Sequence, residues 1–153
     1  MRYLRLTAIA VSLALLSSAA HAQTIWEALE RFGLTGAFAT SCKDVPGPSN
    51  PWVDFYRDAD GVVRRKLDNG SVTLMAAIDR AEFVAPATLK MRLRNDDPKW
   101  QASNGVVFDL ILVRENAYVM TLQSTGSDGV EYIKDGILKS NGSPSAKIAK
   151  CQP

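Results

Sequence analysis

Histidine is almost missing from this chain. The single copy among 153 residues is His21, and it sits in a stretch that reads as a removable leader, so the domain proper is expected to have none. Without an imidazole there is no Ser-His or Cys-His nucleophilic dyad and no histidine general base. Histidine-bound zinc, copper and haem go with it. No cofactor, no metal and no catalytic residue are expected, although carboxylate-only mechanisms and hard-cation sites stay open. Cysteine is scarce too: Cys42 and Cys151 are the two copies. They form no C-x-x-C pair of the kind that lowers a thiol pKa.

A long apolar run is the next absence. Met1-Arg2-Tyr3-Leu4-Arg5 precedes an apolar stretch from Leu6 to about Ala20, followed by Ala20-His21-Ala22 before Gln23. A basic start, a short apolar core and a small-x-small site predict a secretory signal peptide over residues 1–22. The stretch is short of the roughly 20 residues that cross a bilayer, so no membrane span is expected. Residues 23–153 are left as one domain in the periplasm or outside the cell. Removing the leader takes two of the eighteen basic side chains and leaves sixteen to balance sixteen acidic ones. A neutral domain lacks the basic excess that binds nucleic acid.

Two cysteines in an exported chain allow one intramolecular bridge. It closes a loop of about 110 residues, which the loop-entropy model equates with roughly 4–5 kcal/mol, and it holds the first and last strands together.

Thr24 to Phe32 predicts a short helix: Thr24 and Glu27 form a capping box, Ile25, Trp26, Leu29 and Phe32 share a face, and Gly33 supplies the stop. From there the period changes to two. Strands are expected over Thr35–Cys42, Trp52–Asp58, Val62–Leu67, Ser71–Ile78, Thr88–Arg94, Gly105–Val113, Tyr118–Ser124, Val130–Lys134, Ile137–Ser140 and Ala146–Cys151, the last three being short. Asp58-Ala59-Asp60-Gly61, Asp68-Asn69-Gly70 and Thr125-Gly126-Ser127-Asp128-Gly129 are turns. The prolines of residues 43–51 make that stretch a loop. Residues 79–85 read either as a continued strand past a bulge or as a helical turn. The expected fold is all-β: a small antiparallel up-and-down barrel or bent meander of eight or nine strands, preceded by a short helix. A barrel removes open sheet edges.

A short amphipathic helix followed by Gly36-Ala37-Phe38-Ala39-Thr40-Ser41-Cys42 resembles the opening of a lipocalin-like barrel. In that group a Gly-x-Trp motif starts the first strand and its indole plugs the base; here Phe38 stands at the tryptophan position. The chain also resembles small exported bacterial proteins of uncharacterised function. The shared features are a Gly-x-aromatic-Ala-x-x-Cys start, the Pro48-Ser49-Asn50-Pro51 loop, an Asp-Gly hairpin, and the ending Asp135-Gly136, Gly142-Ser143-Pro144, Cys151. The resemblance implies a barrel and no activity.

Several residues stand out as candidate sites. Asp58-Ala59-Asp60-Gly61 resembles half an EF-hand loop, but Val62 occupies the next ligand position and no closing glutamate follows; a turn is the better reading. Asn95-Asp96-Asp97 and Ser127-Asp128 read as solvated loop tips. Lys90, Arg92 and Arg94 share one strand face, and Arg64-Arg65-Lys66 lies on an earlier strand. They read as an anion patch, as inward groups meeting a lipid carboxylate, or as a solvated outer face, which Leu89, Met91 and Leu93 favour by claiming the core. Asp109 is the one charge in an apolar strand: an ordinary outward side chain between two apolar neighbours, or a functional group if it faces inward. Asp54 and Glu115 are its conceivable partners in a two-carboxylate site. Trp26, Trp52 and Trp100 are aromatic anchors, Trp100 in a polar loop where it either meets a ligand or partner or forms a hydrophobic lid. The tentative ligand-binding set is Arg64, Arg92, Trp100 and Asp109.

These features point to a monomeric, non-catalytic envelope protein that binds a small apolar or amphiphilic ligand. The alternative is a protein-interaction module, such as an inhibitor of an exported hydrolase, presenting the 43–51 and Trp100 loops. A carboxylate-dependent enzyme is the third reading.

Overall fold

Residues 24–97, 99 and 105–152 are described by the computed structural model. The leader with His21, and Trp100, lie outside the described residues.

The helix α1 (Ile25–Phe32) forms for the reasons its sequence states. The Thr24 hydroxyl accepts from the Glu27 amide at 3.2 Å while the Glu27 carboxylate accepts from the Thr24 amide at 2.9 Å, a reciprocal cap. Gly33 ends the helix in the left-handed region at φ 72°. Ala28, Leu29 and Phe32 are buried.

Among the described residues ten strands follow: β1 (Gly36–Ala39), β2 (Trp52–Arg57), β3 (Val63–Asp68), β4 (Thr73–Ala85), β5 (Thr88–Asn95), β6 (Val107–Glu115), β7 (Tyr118–Gly126), β8 (Glu131–Lys134), β9 (Ile137–Leu138) and β10 (Ile148–Lys150). Every pairing is antiparallel. Neighbours run β10-β1-β2-β3-β4-β5-β6-β7, and β10 also pairs with β7. Eight strands therefore close a barrel. β8 and β9 lie outside that ring as a flap, sharing with β10 one edge of β7: β10 meets Tyr118 and Val119, while β8 meets Ser124 and Thr125. The mostly sequential, antiparallel barrel expected from the turns is the observed one. Residues 79–85 take the first of their two alternatives, because β4 runs on to Ala85 with a register shift between Ile78 and Arg80.

Cys42 and Cys151 are bonded, with Cα atoms 5.5 Å apart. The Cys151 amide donates to the Ala37 carbonyl at 2.8 Å, so the bridge continues the β1–β10 ladder at the point of closure. A disulfide is compatible with an oxidising, exported location. Among the described residues no helix is long and apolar enough to cross a membrane.

The core fills one end of the barrel. Phe38 is fully buried, its ring edge-on to Phe55 at 6.1 Å; burying a side chain of this size contributes roughly 1.5–3 kcal/mol. Leu89, Met91 and Leu93 point inward, and Leu110 and Leu112 join them from β6. Helix α1 covers this end. Arg57 stacks over Trp26, Phe83 meets Phe32 edge-on at 5.9 Å, and Arg114 lies over the Phe32 ring. Arg114 Nε donates to the Phe32 carbonyl at 2.8 Å, satisfying one of the carbonyls a helix C-terminus leaves open.

One expectation is corrected. Asn95 and Asp97 are buried, Asp97 at 1% exposure, so Asn95-Asp96-Asp97 is not a solvated tip. The Asn95 side-chain oxygen accepts from the Asp97 amide and the Asp97 carboxylate accepts from the Lys99 amide, so the polar groups organise the loop from inside. On β7 the apolar residues Tyr118, Met120 and Leu122 face away from the core. Val119 and Thr121 take the inner side, opposite Arg114 and Leu112 of β6 respectively.

Candidate functional site

Strand β3 carries the key alternation. Val63, Arg65 and Leu67 share its inner face; their partners across β2 are Arg57, Phe55 and Val53. Phe55 and Ala76, the two neighbours of Arg65, are both buried core residues. Arg65 is therefore an inward cation in an apolar ring. It is half-buried, and burial lowers its guanidinium pKa to about 10.

Above Arg65 the barrel is open. A cavity of about 720 Å3 is walled by Val53 and Leu67 of β2 and β3, Thr121 of β7, Ile133 and Leu138 of the flap, and Ile148 of β10. Its mouth is framed by Pro48, Ser49 and Pro51 on one side and by residues 141–147 on the other. A small cleft of about 30 Å3 continues downward between Leu34, Phe55, Leu112 and Val119, and shares Arg65 and Thr121 with the cavity. Arg65 thus lies at the boundary between packed core and open space.

Both rims are held. Asn50 accepts from the Ser41 amide at 2.8 Å, and its amide nitrogen lies within 3.2 Å of the Ser41, Asp44 and Val45 carbonyls. Trp52 Nε1 donates to the Asp44 carbonyl at 3.1 Å. Gly70, at φ 83°, lets the β3–β4 turn press against the same loop: a Cβ there would come within 2.5 Å of the Pro46 carbonyl oxygen. Opposite, the Ser145 amide donates to the Gly136 carbonyl and the Leu138 amide to the Ser143 carbonyl, which ties the 141–147 segment to the flap.

The candidates named from sequence lie elsewhere. Arg64, next to Arg65 but on the outer face, bridges Asp58 and Asp96. Arg64 holds the Asp58 carboxyl below its usual range. Asp58 also accepts from the Asp60 and Val62 amides, which is the work of a hairpin turn. Arg92 and Asp109 are brought together on the outer wall, Nε to Oδ1 at 3.0 Å, with Lys90 3.8 Å from the same carboxylate. Arg94 pairs with Asp79 at 3.2 Å. None of Arg64, Arg92 and Asp109 lines the cavity. Asp54 and Asp109 sit on β2 and β6, opposite strands of an eight-strand ring, and both face outward. Two carboxylates so placed cannot flank one glycosidic bond. Glu115 is bound to Lys147 at 2.7 Å. Trp26 donates to Glu30 on its own helix.

The sequence offers Arg65 only within the Arg64-Arg65-Lys66 run, one of whose readings is an inward group meeting a lipid carboxylate, and it does not single out Thr121 or the flap residues as site residues. The signal was present in β3, where Val63 and Leu67 place Arg65 in the middle of an apolar stripe. No protein-family model matches this chain, and neither a curated protein nor a solved structure matches it.

Proposed function

We propose that this chain is a non-catalytic cell-envelope protein that holds a small apolar or amphiphilic ligand in the open end of its barrel. The cavity of about 720 Å3 carries this reading. It falls within the roughly 300–1,000 Å3 of small-molecule sites, and it has their character: apolar walls with a few placed polar groups. Its rims are pinned by side-chain and backbone hydrogen bonds, so little ordering entropy is lost when a ligand enters. Export through the leader at residues 1–22, to the periplasm or beyond, belongs to the same reading and agrees with the disulfide.

Native mass spectrometry of the protein purified from its own host, followed by titration with neutral N-phenyl-1-naphthylamine, tests it. A retained small-molecule adduct, or a saturable one-to-one fluorescence rise, is the expected result. Bare chain mass together with a flat titration overturns the reading.

One observation favours the runner-up, a protein-interaction module. The Asn50-clamped loop presents Val45 at 82% exposure, and rigidly held loops suit partner recognition. Recovery of a host protein by wild type, and not by Val45→Asp, would select that function.

A further inference from the structure

The cavity holds a charge that the fold does not answer. Arg65 and Lys147 are the charged side chains among the described residues lining it, and Lys147 is already bound to Glu115 at 2.7 Å. Among the described residues no aspartate or glutamate lines the space. Among the described residues no hydrogen bond or ion pair engages the Arg65 guanidinium. Arginine cannot escape this by losing its proton near neutral pH. Apolar surroundings disfavour a charge without a partner, and the open cavity keeps the Arg65 nitrogens within reach of an incoming group. Arg114, another inward arginine, is engaged by contrast: it lies over the Phe32 ring and its Nε donates to the Phe32 carbonyl, although its Nη2 is buried without a partner.

Arg65 is also placed where a ligand end would stop. Phe55 and Ala76 flank it, packed core lies beneath it, and Thr121 offers a hydroxyl in the same space. Leu67, Ile133 and Leu138 line the way out. We infer that the cavity takes a single-chain amphiphile head first, its carboxylate on Arg65 and its hydrocarbon tail running outward past Leu67, Ile133 and Leu138. One planar guanidinium matches one carboxylate in both geometry and charge. A phosphate dianion would need a second free cation, and Lys147 is occupied. This inference rests on the binding reading above and specifies its ligand class.

The test is displacement of N-phenyl-1-naphthylamine by three ligands of equal chain length: dodecanoate, dodecanol and dodecyl phosphate. Wild type, Arg65→Met and Arg65→Lys are compared, with folding checked by far-UV circular dichroism. Wild type is expected to prefer dodecanoate to dodecanol by at least about tenfold, the scale of a charged hydrogen bond. Arg65→Met should lose that preference while holding dodecanol as before, and Arg65→Lys should keep part of it. In wild type alone, the 13C carboxyl signal of bound [1-13C]dodecanoate should stay at its ionised position well below the pH at which the free acid titrates.

Equal wild-type affinity for dodecanoate and dodecanol overturns the head-first assignment and leaves the binding reading standing. So does a preference for dodecanoate that survives Arg65→Met. Tighter binding of dodecyl phosphate than of dodecanoate overturns the carboxylate. Failure of the neutral probe and of dodecanol alike in wild type removes the binding reading itself.

Discussion

Removing the bridge between Cys42 and Cys151 is expected to be the costliest change that leaves the apolar core intact. The two residues are 109 apart in sequence, and loop-closure entropy for a ring of that size corresponds to about 4.8 kcal/mol at 25 °C. The native side adds little to offset it, because the Cys151 amide already sits in the β1–β10 ladder and nothing must move to form the bond. Spread over roughly 130 residues, an unfolding entropy of about 2.1 cal/mol/K per residue gives about 0.27 kcal/mol/K, so Tm should fall by roughly 15–18 °C. The assay is urea unfolding of the oxidised protein against Cys42→Ser/Cys151→Ser, followed by tryptophan fluorescence. The slope against urea should be steeper in the variant, since an unlinked denatured chain exposes more surface. In the variant, hydrogen exchange should speed up first at Phe38, Ala149 and Val119, where β10 meets its two neighbours. A loss below about 1 kcal/mol with an unchanged slope would refute the argument, because it would mean the denatured chain is already confined without the link.

Other perturbations separate the roles of individual side chains. Arg65→Met should stabilise the ligand-free protein by about 1–2 kcal/mol in urea, since it replaces an unanswered inward charge with an apolar chain of similar length; a destabilised variant would show that the guanidinium supports the fold. Phe38→Ala should lose about 3–5 kcal/mol, whereas Val45→Ala, at an exposed loop tip, should stay within about 0.5 kcal/mol. The Asp58 carboxyl, held down chiefly by its hydrogen bond to Arg64, should titrate by NMR below the 3.8 of an unperturbed aspartate. Its contribution is therefore complete above that pH and lost on acidification through the lower folded-state value. Asp58→Asn should flatten this part of the acid-unfolding curve, and an unchanged curve would count against the pairing.

Local features were legible in the sequence. Thr24, Glu27 and Gly33 carry their reason for bounding a helix within one turn, and Asp58–Gly61 and Asp68–Gly70 do so for hairpins. Leu89, Met91 and Leu93 fixed the inner face of β5, which also put Lys90, Arg92 and Arg94 outside. Arg64 and Arg65 were harder. Val62, Arg64 and Lys66 alternate on one face and Val63, Arg65 and Leu67 on the other, each with an arginine at its centre, and a shift of one residue exchanges inside for outside. Tyr118, Met120 and Leu122 alternate as an apolar face, yet they turn away from the core for a reason no local pattern contains. The flap folds back over it: the Gly136 amide donates to the Leu122 carbonyl, and a Cβ at Gly136 would come within 2.7 Å of the Met120 methyl. The open cavity was illegible for the same reason, since its walls join β3, β7, the flap and the 141–147 segment across long stretches of chain.

The position of β10 bears on how the molecule is assembled. Ile148–Lys150 comes after every other strand in the chain, yet it is the stave that fits between β1 and β7. Until it has emerged, the hoop stays split along one side, and two backbone edges stand bare. Completion depends on a contact between distant parts of the polypeptide, a step that is intrinsically slow. A ribosome stalled, or a protease cutting, just ahead of Ile148 would release a nearly finished cask that gapes along one seam and is free to stick to its own kind.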